Sequence, residues 1–437
     1  MMTKREGVPG NYSRVMARWS GRSQMHNAQR LSAANPLESA TAMAEHSRPA
    51  VVVNARAVAR LRAGHPWIYR SDVVSAEGAG PGALVEVKSE RRRLLGTAFY
   101  STASEIALRL LSPAKIEDIA ELVRERVRNA VEYRRNVVRD TDAYRVVFSE
   151  ADELPGLIVD RYNDVLVLEA LTQATDAGEI KEAAVAELVE QFAPAGIVER
   201  AEPRIRQLEQ LAPLKDGLLH GERTETVFTM NGVRFHHRAL TGQKTGAFLD
   251  QRENYAAAAT CGHGDALDVF CYQGGFALHL ARVCPRVTGV DSSRPALEQA
   301  EQNAALNSGL PEIEWIEANA FDLLKDYAAA GRQYDTIVLD PPAFARSRRA
   351  LQTALRGYKE LNLRALKMLR PGGILVTCSC SYHVGEGEFV EMLASAAVDA
   401  HRFVRILEKR GQSKDHPIVL TIPETSYLKC VIAVVSH

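Results

Sequence analysis

A chain of 437 residues has room for roughly three domains, each able to bury its own core. Its 54 Lys and Arg balance 54 Asp and Glu, so net charge argues neither for nor against a polyanionic partner. No uninterrupted apolar run approaches the roughly 18 residues of a membrane span, and the six cysteines show neither C-x-x-C nor zinc-finger spacing, which disfavours a disulfide framework or bound metal and fits a reducing cytoplasm.

Residues 1–48 are polar, contain Arg and Ser, and lack hydrophobic periodicity, the composition of a disordered tail. They have the flavour of a transit peptide without a convincing amphipathic helix, and Met25 and Met43 leave a later start open. Residues 49–120 change texture. VVVNARAVARLRAGHPWIYRSDV, PGALVEVKS and RLLGTAFYS read as short strands separated by Gly/Pro turns, hence a small β-rich domain. Residues 51–135 hold fifteen Arg and Lys against ten Asp and Glu, including Arg91-Arg92-Arg93, which suits either RNA or a merely solvated face.

The apolar spacing over 116–138 predicts an amphipathic linking helix. It opens a central α+β domain, residues 121–230. YRVVFSEADELPGLIVDRYNDVLVLEAL reads as two strands around an acidic Gly/Pro turn, followed by a helix over 179–192 and the strand GIVER.

Residues 231–437 alternate strand and helix with short loops, the pattern of a doubly wound, mostly parallel α/β sheet covered on both faces. Strands are expected at 266–270, 286–291 and 334–340, with IEWIEAN and GILVTCS as two more. A helix over RPALEQAEQNAALNSG is expected to end at a C-cap Gly309. Ligands of such sheets bind beyond the carboxyl ends of the strands. Those ends carry Asp268 and Phe270, Asp291, Asn319, Asp340 and the pair Cys378 and Cys380.

In LDVFCYQGGFALHL, Gly274 and Gly275 let a ligand approach the backbone at a helix start that favours an anion. The pattern is not G-x-G-x-x-G, so a pyrophosphate-bearing dinucleotide, and with it a nicotinamide dehydrogenase, is disfavoured. Asp291, seventeen residues after Gly274, is placed to accept both ribose hydroxyls, although capping the next helix would also explain it. A nucleoside bearing an amino-acid carboxylate suits this pocket, and S-adenosylmethionine is such a ligand. Its carboxylate would meet the helix start, its ribose Asp291, and its adenine Asn319, Ala320 and Phe321.

LDVFCYQGGF, VTGVDSS, EANAFD and VLDPPAF resemble, in order, the successive motifs of class I S-adenosylmethionine-dependent methyltransferases. LTGQKTGAFLDQRENY (240–255) resembles the segment before the first motif in large-subunit ribosomal RNA cytosine-5 methyltransferases that carry an N-terminal PUA domain. That resemblance implicates Thr245, Gln251 and Arg252 in enclosing the cofactor. AGHPWIYRSDV resembles the family's RNA-binding PUA domain and ELPGLIVDRYNDVLVLE its central domain, so the likeness covers about residues 50–437. It implies an RNA partner, specifically large-subunit ribosomal RNA, with no membrane and with a homodimer left open. Asn319 stands where Asp is commoner, and TCSCS holds one cysteine more than the family's single one.

Cytosine C5 is a poor nucleophile, and a thiolate adding at C6 makes it electron-rich, which is covalent catalysis. Asp340 in DPPAF is placed to relieve charge at N3, with Pro341 and Pro342 stiffening its loop. On a strand Cys378 and Cys380 share a face. Cys380 lies nearer the carboxyl end and matches the family's Ser-Cys-Ser, so it is the expected nucleophile, with Cys378 as the alternative. Cys271 and Cys284 read as core thiols. His65 and Trp67 are either RNA contacts or, more simply, core residues. His236-His237-Arg238 is a weaker phosphate candidate, and Phe344 either stacks on a flipped base or packs its loop. A methyltransferase acting on an exocyclic amine needs no thiol, and an RNA-binding assembly factor without chemistry needs no cofactor; these are the competing readings.

Overall fold

The computed structural model describes residues 48–214, 217–240, 246–345 and 347–437. The expected tail, all but Arg48, and Thr245 lie outside the described residues. Among the described residues no helix is long and apolar enough to cross a membrane.

Six strands between Ala50 and Ser112 form one sheet. The stretch read as strands alone also contains a helix, Ala55–Arg62, capped by the Asn54 side chain accepting the Ala57 N–H at 3.0 Å. ARAVARLR lacks Gly and Pro and is rich in strong helix formers, so local propensity prevails there. Arg91, Arg92 and Arg93 are exposed on a turn. His65 and Trp67 are neither fully buried nor free. Nε2 of His65 lies 3.1 Å from Glu424 and Nε1 of Trp67 donates to Glu150 at 2.8 Å, so both tie this sheet to the rest of the chain.

The helix Ile119–Val137 buries Ile119, Val123, Val127, Ala130 and Val131, and with the helix Gly178–Phe192 covers a second, five-stranded sheet. The acidic turn separates Ala143–Phe148 from Leu157–Tyr162 as read. A third strand, Val165–Ala170, then follows a tight turn in which Asn163 has φ +52°. Asn tolerates that left-handed conformation, which lets the chain reverse within two residues. A hairpin, Glu225–Met230 with Val233–Arg238, leads into the last sheet.

That sheet has strands β1 (Asp265–Val269), β2 (Arg286–Asp291), β3 (Ile313–Glu317), β4 (Tyr334–Leu339), β5 (Leu369–Ser379), β6 (Val404–Arg410) and β7 (Lys429–Val435) in the order 3-2-1-4-5-7-6. Strands β1 to β5 are parallel, and β7 runs antiparallel between β5 and β6. Ala266, Val338 and Val376 pack on one face, and Leu267, Leu339 and Leu375 on the other. Both faces are buried, as continuous apolar strands require. The chain order reverses between β1 and β4, opening a crevice at their carboxyl ends. The helix after β2 ends at Ala305, earlier than the expected C-cap Gly309. The Asn307 side chain donates to the Asn303 carbonyl at 2.7 Å and occupies one of the last helical acceptors.

Arg134, 1% exposed, joins these parts. It donates to the carbonyls of Arg145 and Asp415, at 2.9 and 2.8 Å, and to the Asp152 carboxylate. Replacing it with Leu strands that carboxylate and two carbonyls away from water. Arg134→Leu should lower unfolding free energy by about 3–5 kcal/mol, read as a lower urea midpoint.

Candidate active site

β1 ends in a loop that only a strongly braced backbone can hold. Phe270 (φ +69°) and Tyr272 (φ +48°) are both left-handed, a conformation that costs non-glycine residues free energy unless the surroundings enforce it. Here the N–H groups of Phe270 and Cys271 both donate to the Val290 carbonyl, at 2.9 and 3.0 Å. The Tyr272 N–H donates to Oδ2 of Asp291 at 2.9 Å. Gly274 follows at φ +84°, and a Cβ on Gly275 would stand 2.6 Å from the Tyr255 ring, so neither position takes a side chain without strain. Asp268, fully buried, accepts the Ala277 N–H at 2.8 Å and so fixes the helix Gly275–Leu280 against its own strand.

The loop forms one wall of a cavity of about 510 Å³. Asp291 at the end of β2, Asp340 after β4 and Cys380 after β5 all line it, with Gln251, Phe270 and Gly275. The Asp291 carboxylate is held by two backbone donors, Tyr272 and, at 2.9 Å, Ser293. Each oxygen keeps a second lone pair. The helix-capping alternative for Asp291 does not hold, because the next helix starts after Ser293 without a side-chain cap.

Other candidates fall outside this wall. Asn319 caps the helix Ala320–Ala329, its Oδ1 accepting from Phe321 at 2.9 Å and Asp322 at 3.4 Å, and Ala320 is buried in the core beneath. Asn is among the best N-caps, which accounts for it without a ligand. Arg252 is 1% exposed and ion-pairs with Asp415 at 2.8 Å. Asp268 and Gly274 brace the loop from below. Phe344 packs on Tyr358, ring centroids 4.7 Å apart. His237 is buried and stacks on Tyr162 at 3.7 Å, and burial pushes its imidazole down to about 3, so it offers no positive charge to a phosphate.

The two cysteines of β5 differ sharply. Cys378 is 0% exposed and lies opposite Cys430 of β7; burial, then Cys430, push its thiol well above the usual range. Cys380, one residue beyond the strand, is partly exposed in the cavity wall. Beside it stands a residue that sequence reasoning passed over. Lys429 opens β7 and donates to the carbonyls of Ser381 and Tyr427, at 2.7 and 2.8 Å. Burial pulls its ammonium down to about 8, against the opposing fields of Cys380 and Glu388. A lone lysine heading the apolar run KCVIAVV was the available signal. Tyr255 and Tyr427, which also line the cavity, carried none.

The donor set fits S-adenosylmethionine. Asp291 offers paired acceptors for a ribose diol, and Oδ1 of Asp268 is a buried acceptor without a hydrogen-bond partner, under the loop. Burial, and then the nearby Asp340 and Asp291, push the Asp268 carboxyl well above its ordinary value, so a cationic ligand would relieve this edge.

Comparison with known proteins agrees. Residues 51–113 match a PUA-like domain, and residues 154–420 match an S-adenosylmethionine-dependent methyltransferase. A curated relative from Shewanella denitrificans, "Ribosomal RNA large subunit methyltransferase I", is 38% identical over 85% of this chain and 96% of its own length. Another of that name from Photobacterium profundum is 37% identical over 84% of this chain and 95% of its own. The solved structure of SMU.776 complexed with SAH superimposes with TM-score 0.75 at 19% identity, covering 88% of this chain and 100% of that one. At that identity the likeness speaks for the fold. Sheet order, crevice and donor set thus define an S-adenosylmethionine-dependent methyltransferase of class I fold with a PUA-like domain ahead of it. Within that class the chain belongs to the ribosomal RNA large subunit methyltransferase I family.

Removing a carboxylate that would hold two ribose hydroxyls should be felt directly in cofactor binding. Asp291→Asn, which keeps an oxygen to accept a loop N–H but loses the charge and one ribose acceptor, is expected to weaken S-adenosylmethionine about tenfold by calorimetry, with little change in melting temperature.

Proposed function

We propose that the chain methylates C5 of a cytosine in large-subunit ribosomal RNA, with Cys380 as nucleophile and the PUA-like domain presenting the RNA. One observation carries the reading: Cys380 and Asp340 line the same cavity as Asp291. Loss of its proton leaves Cys380 a thiolate, which adds to C6 of the cytosine. The S–C6 bond forms as the C5=C6 π pair shifts to C5, while a hydrogen bond from the Asp340 carboxyl to N3 relieves the charge spreading there. Bound S-adenosylmethionine supplies an electrophilic methyl group on a sulfonium. C5 takes that methyl as the methyl–sulfur bond breaks, and a base then removes the C5 proton. The returning pair restores C5=C6 and expels the thiolate. Asp291, Gln251, Phe270 and Gly275 would hold the cofactor, and Asp268 would brace their loop.

Lys429 has a role in this scheme. A partly buried ammonium whose field reaches a cysteine favours the thiolate. Held by two carbonyls, it cannot swing away cheaply. Neither the exocyclic-amine reading nor the non-catalytic reading needs a partly exposed thiol in that cavity.

RNA containing 5-fluorocytidine tests the scheme, because fluorine cannot leave as a cation and the adduct should persist. The expected result is a covalent complex whose crosslinked peptide contains Cys380, and loss of both adduct and turnover in Cys380→Ala. Turnover surviving in Cys380→Ala would overturn the thiol mechanism. Lys429→Met should slow alkylation of Cys380 by iodoacetamide at pH 7 about tenfold, and the difference should vanish at pH 10.

A further inference from the structure

A second cavity, of about 400 Å³, lies between the central sheet and the methyltransferase half. One wall is a row across three strands: Phe148 pairs with Ile158, and Ile158 with Glu169. The other wall is Phe248, His416 and Tyr427. Tyr427 Oη donates to Asp250 Oδ2 at 2.7 Å, and both residues, with Phe248, also line the first cavity. The two cavities are therefore neighbours across a partition one side chain thick.

The chemistry of the lining is specific. Phe148, Phe248, Tyr427 and His416 supply ring surface for a flat ligand. The cation at the site is already matched, since Nε and Nη2 of Arg145 each lie 2.8 Å from an oxygen of Asp160. The polar side chains left in the lining include the carboxyls of Glu169 and Glu202 and the His416 imidazole, with the field of Arg200 also reaching Glu169. The Glu169 side chain makes no hydrogen bond or ion pair with any described residue. Burial, followed by the field of Asp160, raises its carboxyl to about 7. A half-buried carboxyl without a partner is costly to keep, and an N–H donor from a ligand would satisfy it.

Acceptors combined with rings call for a planar ligand that presents N–H donors along one edge. Among RNA bases only guanine offers two adjacent ones, N1–H and N2–H, to a single carboxylate. We infer that this cavity receives a guanine flanking the methylated cytosine, read by Glu169. The inference rests on the RNA reading above and adds to it a sequence preference.

Binding separates the two. Short RNAs carrying each of the four bases on either side of one cytidine would be titrated by fluorescence anisotropy, and methyl transfer measured on the same set. The wild-type chain should bind the guanine-flanked RNA about tenfold more tightly than the others on one side only. Glu169→Gln should reduce that preference to within about twofold. Gln keeps the shape and removes a carboxylate that burial disfavours, so the variant should melt no lower than the wild type. A wild-type chain indifferent to flanking bases would overturn the inference even if C5 is methylated. So would a preference that survives in Glu169→Gln. A guanine preference lost in the variant, in a chain that transfers no methyl to C5, would uphold the cavity assignment and sink the reaction instead.

Discussion

Three carboxylates gather at the carboxyl edge of one sheet, and the full burial of the innermost, Asp268, organises the site. Asp268, Asp291 and Asp340 end or follow β1, β2 and β4, close enough that the latter two raise the Asp268 carboxyl beyond what burial does. Like charges at such range cannot all persist without compensation. The fold separates their environments. Asp291 receives two backbone N–H groups and lines the cavity, whereas Asp268 receives one and is fully buried. A sulfonium carried on a ribose is a ligand that such an edge would attract, since it brings positive charge and hydroxyl donors together.

That edge is useful only if the central domain stays docked against it, and Asp415 secures the joint. Its two oxygens take the Arg252 guanidinium, at 2.8 Å, and the Arg145 N–H, at 2.9 Å, while its carbonyl takes Arg134. Burial by itself would raise the Asp415 carboxyl; His416, Arg252 and the Arg145 N–H together outweigh it and hold the group well below the usual range. Helix Ile119–Val137, strand Ala143–Phe148 and the helix after Gln251 thus meet at one buried anion. Breaking such a cluster by removing one partner costs more than the cluster contributes in net stability. Arg252 therefore reaches the site indirectly: it anchors the segment from which Gln251 faces the cavity.

Much of this architecture was legible in sequence. Alternating strand and helix gave the parallel sheet, and β2 runs from Arg286 to Asp291 as its pattern indicated. Asp291, Asp340 and Cys380 could be read as strand ends because parallel sheets bind ligands there. What escaped were decisions made by local competition or by tertiary contact. Ala55–Arg62 folds as a helix because the short strands on either side, Ala50–Val53 and Trp67–Tyr69, leave propensity in charge. Asn319, expected at the adenine, stands at a helix start as well as a strand end, and its Oδ1 caps that helix. Arg252 lies next to Gln251 in sequence, yet consecutive residues at the head of a helix point apart. Lys429 and Glu169 acquire meaning only through neighbours brought from distant segments, which no local spacing announces.

The sulfur pair in TCSCS shows how little separates a core thiol from one that lines the cavity. Cys378 and Cys380 lie two apart and so face the same side, but the register β5 keeps with β7 sets Cys378 directly across from Cys430. There it has no water and a second thiol for a neighbour, conditions that oppose ionisation. Pairing ends one residue later, with Ser379 against Lys429. Cys380 is thus the first residue on that face free of the ladder, and the lysine that terminates the pairing is the one whose ammonium stands beside it. Strand end, cavity-lining thiol and neighbouring half-buried cation are consequences of a single register. A slip of one residue would turn Ser379 and Ser381 towards the cavity and leave it with hydroxyls, which are far weaker nucleophiles at neutral pH.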